Sequence, residues 1–179
     1  MSVQPLGKPG LAPADGFRAA MRRLAGTVTI VTTRHEARRY GMAATAVCSV
    51  CAEPPTLLVC VNRSASIHEP IAAAGRFCVN LLAVEHGELV APFSGRLAGE
   101  ARFAHGHWAA GALELPCLQD AQASVFCVVR QALPYATHTV FFGEAVAVRV
   151  RQDVAPLIYQ DGRLAASREL ASAGRLDKP

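Results

Sequence analysis

Apolar and polar positions along this chain fall mostly into short alternating or continuous β-type runs, separated by turn residues. Between residues 41 and 66 two such runs, GMAATAVCSVCAE and PTLLVCVNRSAS, meet at Pro54 and Pro55 and end in a small polar cluster. Val47, Val50, Leu57, Leu58, Val59 and Val61 supply β-branched or aliphatic bulk, whereas Ala43, Ala44, Thr45 and Ala46 leave one strand bare of large side chains. A planar molecule has room against such a surface.

Upstream, Asp15 is the expected cap of a helix with Phe17, Met21, Leu24 and Ala25 at helical spacing, Arg18, Arg22 and Arg23 outside, and Gly26 as its end. The pattern reads as ordinary amphipathic packing. TVTIVTT over 27–33 predicts a strand that turns through the charged segment 34–39 and pairs antiparallel with the run beginning at Gly41. Downstream come a strand over 76–82, in which Asn80 faces either core or water, and a second short helix over 85–93. The segment 96–108, with Phe103, His105, His107 and Trp108, shows no clear period and reads as a polar surface loop without a complete metal-ligand set.

From 121 to 150 two long β runs flank 134–137, which predicts a hairpin with a bulge or bend at Gly143 and His138 at the start of the returning strand. Leu157, Ile158 and Tyr159, an Asp161-Gly162 turn and a short strand over 163–166 complete the pattern. Seven or so mostly antiparallel strands with two or three helices predict a mainly β fold with short helices, a barrel whose open ends the helices cover. The domain spans 15–167, between loose tails over 1–14 and 168–179. No GxGxxG opens a βαβ unit, which argues against a Rossmann domain and for any nucleotide binding by another route.

The 179 residues, 51% of them hydrophobic, suit one domain with a substantial core. A net charge of +4, from 18 Lys and Arg against 14 Asp and Glu, is too mild and scattered for a nucleic-acid stripe and leaves anionic small molecules open. The absence of a long apolar run or a leader-like start predicts a soluble, cytoplasmic protein without membrane contact. Six cysteines lie mostly in apolar runs, as expected of reduced, buried thiols. Cys48 and Cys51 form a CxxC, but strand alternation puts them on opposite faces and no second half completes a zinc set.

The chemistry concentrates at Asn62, Arg63, Ser64 and Ser66, ahead of a helix expected over 66–74. Outward N–H groups at a helix start and a guanidinium fork suit a phosphate. The plainer alternative is a capping box of Ser66 and Glu69 with Arg63 solvated, and on spacing alone it is the commoner arrangement.

In order along the chain, Phe17-Arg18, Leu24-Ala25-Gly26-Thr27-Val28, GMAATAVCSVCAEPPTLLVCVNRSASIHEPI, RFCVNLLA, Phe93-Ser94-Gly95, Arg102-Phe103 with Trp108, His138-Thr139-Val140-Phe141 and Pro156-Leu157-Ile158-Tyr159 resemble the short-chain flavin reductases. These are FMN-binding split β-barrels that serve as reductase components of two-component flavin-dependent monooxygenases, and the likeness is greatest to the hydroxyphenylacetate and phenol hydroxylase reductases. The resemblance implies reduction of FMN or FAD by NADH or NADPH, a homodimer, and an oxygenase that receives the reduced flavin. It places the isoalloxazine against Ala44, Thr45 and Ala46, Ser49 and Asn62 near the ribityl chain, and Arg63, Ser64 and Ser66 around the phosphate. His138 falls beside the nicotinamide as the catalytic candidate, with Phe93 and Tyr159 near the mouth. Departures are Ala43 where relatives have Thr, Cys51 where they have Ser, and Arg163-Leu164 where they have an aromatic, which leaves the choice of nicotinamide open. A module that binds, stores or senses flavin without using a nicotinamide is the alternative.

Overall fold

A computed structural model describes residues 12–168. Its elements are α1 (Pro13–Met21), β1 (Gly26–Thr27), β2 (Thr29–His35), β3 (Arg38–Ala44), β4 (Val47–Ala52), β5 (Pro55–Asn62), α2 (His68–Ala74) and β6 (Arg76–Leu81). Beyond three short helical turns follow β7 (Trp108–Ala110), β8 (Pro116–Leu118), β9 (Ala123–Tyr135), β10 (His138–Val150), β11 (Leu157–Gln160) and β12 (Arg163–Ala166). Seven strands pair antiparallel in the order β3-β2-β6-β9-β10-β5-β4, with small sheets β1-β11-β12 and β7-β8 beside them. The two edge strands of the large sheet, β3 and β4, are consecutive in the chain and joined only through Thr45 and Ala46. Such a short link forces the sheet to curl until its edges meet, giving a barrel split along one seam. The mainly β, split-barrel expectation holds.

One apolar cluster, with Val31, Val59, Val61, Phe77, Val79 and Phe141, is closed by Ile67 and Ile71 at and within α2. A second, with Val28, Ile30, Leu82, Leu89, Phe93 and Phe103, packs the helical turns against the other side of the sheet. β6 is buried on both faces, with Phe77 and Val79 in the first cluster and Cys78 in a third with Leu115, Cys117 and Phe126, which is why RFCVNL lacks alternation.

Asn80 is wholly buried. Its Nδ2 donates to Ile30 O at 3.1 Å and Thr32 Oγ1 at 3.3 Å, while Oδ1 accepts from Leu118 N and Ser124 Oγ at 3.0 Å each. One amide therefore ties β2, β8 and β9 to β6.

The predicted hairpin is present as β9 and β10, with a register shift at Phe142/Gly143. A Cβ at Gly143 would fall 2.4 Å from Phe77 Cζ, so only glycine fits that bend. The Asp161-Gly162 turn joins β11 to β12 with both residues at positive φ, as a two-residue hairpin requires.

Several expectations are corrected. The run after Gly41 is two strands, broken at Thr45 and Ala46, because its N-terminal half belongs to one edge of the barrel and its C-terminal half to the other. α1 starts after Ala12 with Pro13 in its first turn, so Asp15 lies inside the helix, paired with Arg18, rather than capping it. It ends at Met21, short of Gly26, and its apolar residues are not packed on the core: Phe17 and Met21 are 64% and 46% exposed. Residues 84–96 form a 3-10 turn and a π-type turn rather than one helix. The 96–108 segment is no mere surface loop, since Phe103 is buried and meets Phe93 and Trp108 at ring-centroid distances of 5.3 and 5.2 Å. Of the cysteines, Cys78, Cys117 and Cys127 are buried but Cys48 and Cys51 are exposed on an edge strand. The tail expectations fall largely outside the described residues. No helix among the described residues is long and apolar enough to cross a membrane.

Candidate functional site

The seam of the barrel carries the bare surface foreseen at Ala44, Thr45 and Ala46. β3 ends at Ala44, whose carbonyl accepts from Thr29 Oγ1 at 2.7 Å, and the chain crosses to β4 with Thr45 and Ala46 exposed. Ala46 O accepts from Cys60 N at 3.0 Å and Thr45 O from Val47 N at 2.9 Å, which fixes the ledge to β5 and β4. Among the described residues the N–H groups of Thr45 and Ala46 have no protein partner, so two free donors lie on a surface without bulk. That is the feature a flat heteroaromatic edge requires.

Three cavities meet at Thr45. One of about 200 Å³ runs along Ala43, Ala44 and Thr45 between Ser94 and Tyr159. A second, about 550 Å³, continues past Ala46 and Tyr159 beneath Phe17, Met21 and Leu24. The third, about 570 Å³, opens beside Ser49, Val47 and Leu57. A further cavity of about 510 Å³ lies against Arg34, Arg38, Arg39, Glu100 and Glu114; Arg34 pairs with Glu114 and Arg39 with Glu100, while Arg38 has no ion-pair partner among the described residues, and no small-residue ledge accompanies these charges.

The polar turn follows β5 and lies two residues beyond the strand position that Ala46 holds. Asn62 Oδ1 accepts from both the N–H and the hydroxyl of Ser64 at 2.9 Å, which shapes the turn. Arg63 is exposed, its guanidinium without an ion-pair partner among the described residues, and its N–H donates to Thr137 O at 2.9 Å. The expected capping box of Ser66 and Glu69 is absent: α2 begins at His68 with Ile67 as its cap, and the Glu69 carboxylate meets the His68 ring at 3.0 Å. The chain needs one more turn to bring buried Ile67 and His68 inward, so Ser66 stays exposed at the bend.

His138 pairs with Asn62 across β10 and β5, which sets it beside the turn; its Nδ1 lies 2.9 Å from Thr137 Oγ1. Thus Ala44, Thr45, Ala46 and Tyr159 share one cavity system, while Asn62, Arg63, Ser64, Ser66 and His138 gather at the end of β5. Ser49 lines the third cavity, with residues 24–27. Phe93 is placed differently from expectation: it is buried beneath Gly41, where an added Cβ would lie 2.6 Å from its ring, and its neighbour Ser94 lines the cavity instead.

Arg102 was not singled out as a site residue. Its Nε donates to Leu97 O at 2.8 Å, and its Nη1 donates to Gly41 O and lies 3.5 Å from Ser66 Oγ. It brings a second cation to the bend from a segment with no periodicity, so only folding reveals its reach.

A split β-barrel with a small-residue seam and a cationic turn at one end defines a cofactor barrel suited to a planar ring bearing a phosphate. Comparison with known proteins is specific. The chain belongs to the family described as the flavin reductase like domain, whose model matches residues 21–168. It is 46% identical over 161 residues to the FMN reductase (NADH) RutF of Variovorax paradoxus strain S110, covering 90% of this chain and 89% of that protein. To the reductase component of FADH(2)-dependent resorcinol hydroxylase from Rhizobium sp. strain MTP-10005 it is 39% identical, covering 90% and 93%. A flavin reductase domain protein from Arthrobacter sp. FB24 superposes with a TM-score of 0.81 at 29% identity, over 88% of this chain and 97% of that structure.

Proposed function

We propose that this chain is an NAD(P)H-dependent flavin reductase that reduces FMN or FAD and supplies reduced flavin to a partner monooxygenase. The observation that carries the site assignment is the seam at Thr45 and Ala46, where unpartnered N–H groups, small side chains and three cavities coincide. Among relatives, RutF is named for FMN and NADH, and the Rhizobium relative for a flavin-dependent hydroxylase.

In this reading Ala44, Thr45 and Ala46 seat the ring, their lack of bulk letting it approach the main chain. Asn62 and Ser49 face the ribityl chain, and Arg63, Ser64 and Ser66 hold the phosphate, Arg63 by charge-assisted hydrogen bonds. Bound flavin supplies the two-electron acceptor for a nicotinamide donor. The protein's part is proximity, orientation and exclusion of water rather than proton transfer. Tyr159 walls the ring cavity, Phe93 supports it from below through Gly41, and His138 orients the nicotinamide or its phosphate.

The assay is nicotinamide oxidation followed by absorbance with each flavin and each donor in turn. Flavin-dependent consumption of NADH or NADPH is expected. Tight flavin binding without consumption would favour the storage or sensing module.

Association into a homodimer is supported by the exposed apolar residues Phe17, Met21 and Leu24 beside the site, and light scattering on the purified chain tests it. A cytoplasmic location is supported by six cysteines that form no disulfide among the described residues.

A further inference from the structure

The first turn of α2 carries a buried imidazole to which the proposed function gives no part. His68 is 7% exposed at the edge of the apolar cluster that holds Ile67, Ile71 and Phe141, its ring centroid 5.5 Å from that of Phe141. Its Nδ1 lies 3.0 Å from Glu69 Oε1, and its Nε2 lies 2.8 Å from Oγ1 of the buried Thr139 on β10. A carboxylate only accepts, so in the neutral ring Nδ1 carries the proton and Nε2 accepts from the Thr139 hydroxyl.

This bond closes one end of the polar bend, and main-chain bonds close the other. Arg63 N–H donates to Thr137 O, Ala65 N–H to Asn62 O and His68 N–H to Ala65 O, each at 2.9 Å. Residues 63 and 68 therefore enclose Ser64 and Ser66, and they are tied to Thr137 and Thr139, the two chain neighbours of His138. His138 itself pairs with Asn62, the last residue before the bend. The two ties differ in kind: a residue of almost any type at 63 can donate its N–H to Thr137 O, whereas the second tie needs the side chains of both His68 and Thr139. Stability alone does not call for them. A buried polar group left alone is costly, but an apolar pair of the same shape replaces a hydrogen-bonded pair at little cost. The polar pair adds direction, which apolar contact lacks.

We propose that His68 is a positioning residue that, through Thr139, fixes the bend carrying Arg63, Ser64 and Ser66 relative to His138, so that the flavin phosphate and the nicotinamide are held in one set geometry. This role rests on the proposed function, which gives the bend the phosphate and His138 the nicotinamide, and it adds the link between them. Arg63 acts on the flavin and His138 on the nicotinamide, whereas His68 acts on both without touching either.

Thr139→Val removes the hydroxyl at nearly unchanged shape. Dissociation constants for FMN and riboflavin are measured by fluorescence titration, and the nicotinamide KM by steady-state kinetics. FMN affinity is expected to fall about fivefold relative to riboflavin and the nicotinamide KM to rise about fivefold, both restored in Thr139→Ser, which keeps the hydroxyl. Combining His68→Leu with Thr139→Val should regain the urea midpoint lost in Thr139→Val but neither binding constant. Should that pair fail to fold, Thr139→Val against Thr139→Ser decides. A lowered urea midpoint with the FMN-to-riboflavin ratio and the nicotinamide KM unchanged, a shift in only one of the two, or recovery of both in the apolar pair would overturn the proposal. Arg63→Ala, run alongside, separates the levels: if it too leaves the FMN-to-riboflavin ratio unchanged, the phosphate assignment of the bend has failed and the link falls with it.

Discussion

Replacing Asn80 by Leu keeps the approximate volume of the side chain and removes its polar atoms from the place where β2, β6, β8 and β9 converge. Leu118 N–H and Ser124 Oγ, each 3.0 Å from Oδ1, lose a partner, as do Ile30 C=O and Thr32 Oγ1, 3.1 and 3.3 Å from Nδ2, though Thr32 keeps its bond to Pro116 O. The buried Leu118 N–H sets the scale, since an orphaned buried donor costs about 1–3 kcal/mol. Ile30 C=O adds less because a carbonyl has a second lone pair, and the Ser124 hydroxyl adds less because it keeps the hydrogen bond it accepts from Cys117 Sγ at 3.4 Å. The sum is a loss of about 2–5 kcal/mol, a large part of the roughly 5–15 kcal/mol by which domains are stable. Urea unfolding followed by fluorescence reads it as a lower midpoint at unchanged slope. Adding Ser124→Ala should cost less in the Asn80→Leu chain than alone, because both remove the same contact. A loss below about 1 kcal/mol, or full additivity, would refute the view that this amide organises the four strands.

Arg63→Ala should weaken FMN binding about 10- to 150-fold, the equivalent of about 1.5–3 kcal/mol, and leave riboflavin binding unchanged because riboflavin lacks the phosphate; fluorescence titration with both flavins checks this. His138→Ala should raise the nicotinamide KM and slow turnover without abolishing it, as steady-state kinetics will show. Gly143→Ala should destabilise the chain by about 1–3 kcal/mol, because its Cβ would strike Phe77 and Cys127; thermal unfolding measures this. Hydrogen bonds from Arg151 hold the Glu85 and Asp153 carboxyls below their ordinary range. Because the folded values are depressed, this contribution is present above the ordinary carboxylate range and is lost as pH falls through the lowered values. Arg151→Met should therefore lose less stability than the unaltered chain on acidification below about pH 4, as urea midpoints across that range will show.

The strands were legible where the sequence itself states the geometry. β9 and β10 alternate, Asp161-Gly162 is a turn that few other residues could make, and Gly143 marks its own bend. The ledge was legible as chemistry but not as topology: a run of small residues carries no mark of where it leaves one sheet edge for the other, so the break at Thr45 and Ala46 needed the barrel to be seen closed. Ser66 and Glu69 have capping-box spacing, yet burial of Ile67 and His68 decided where α2 begins. The Phe93, Phe103 and Trp108 cluster and the reach of Arg102 depend on turns without periodicity.

The most direct measurement is a crystal structure of the chain with FMN. The account predicts the ring lying along Ala44, Thr45 and Ala46 with Tyr159 at its side, and the phosphate within hydrogen-bonding reach of Arg63 and Ser64. A ring seated in the Arg34 and Arg39 cavity, or a phosphate away from the turn after β5, would contradict it.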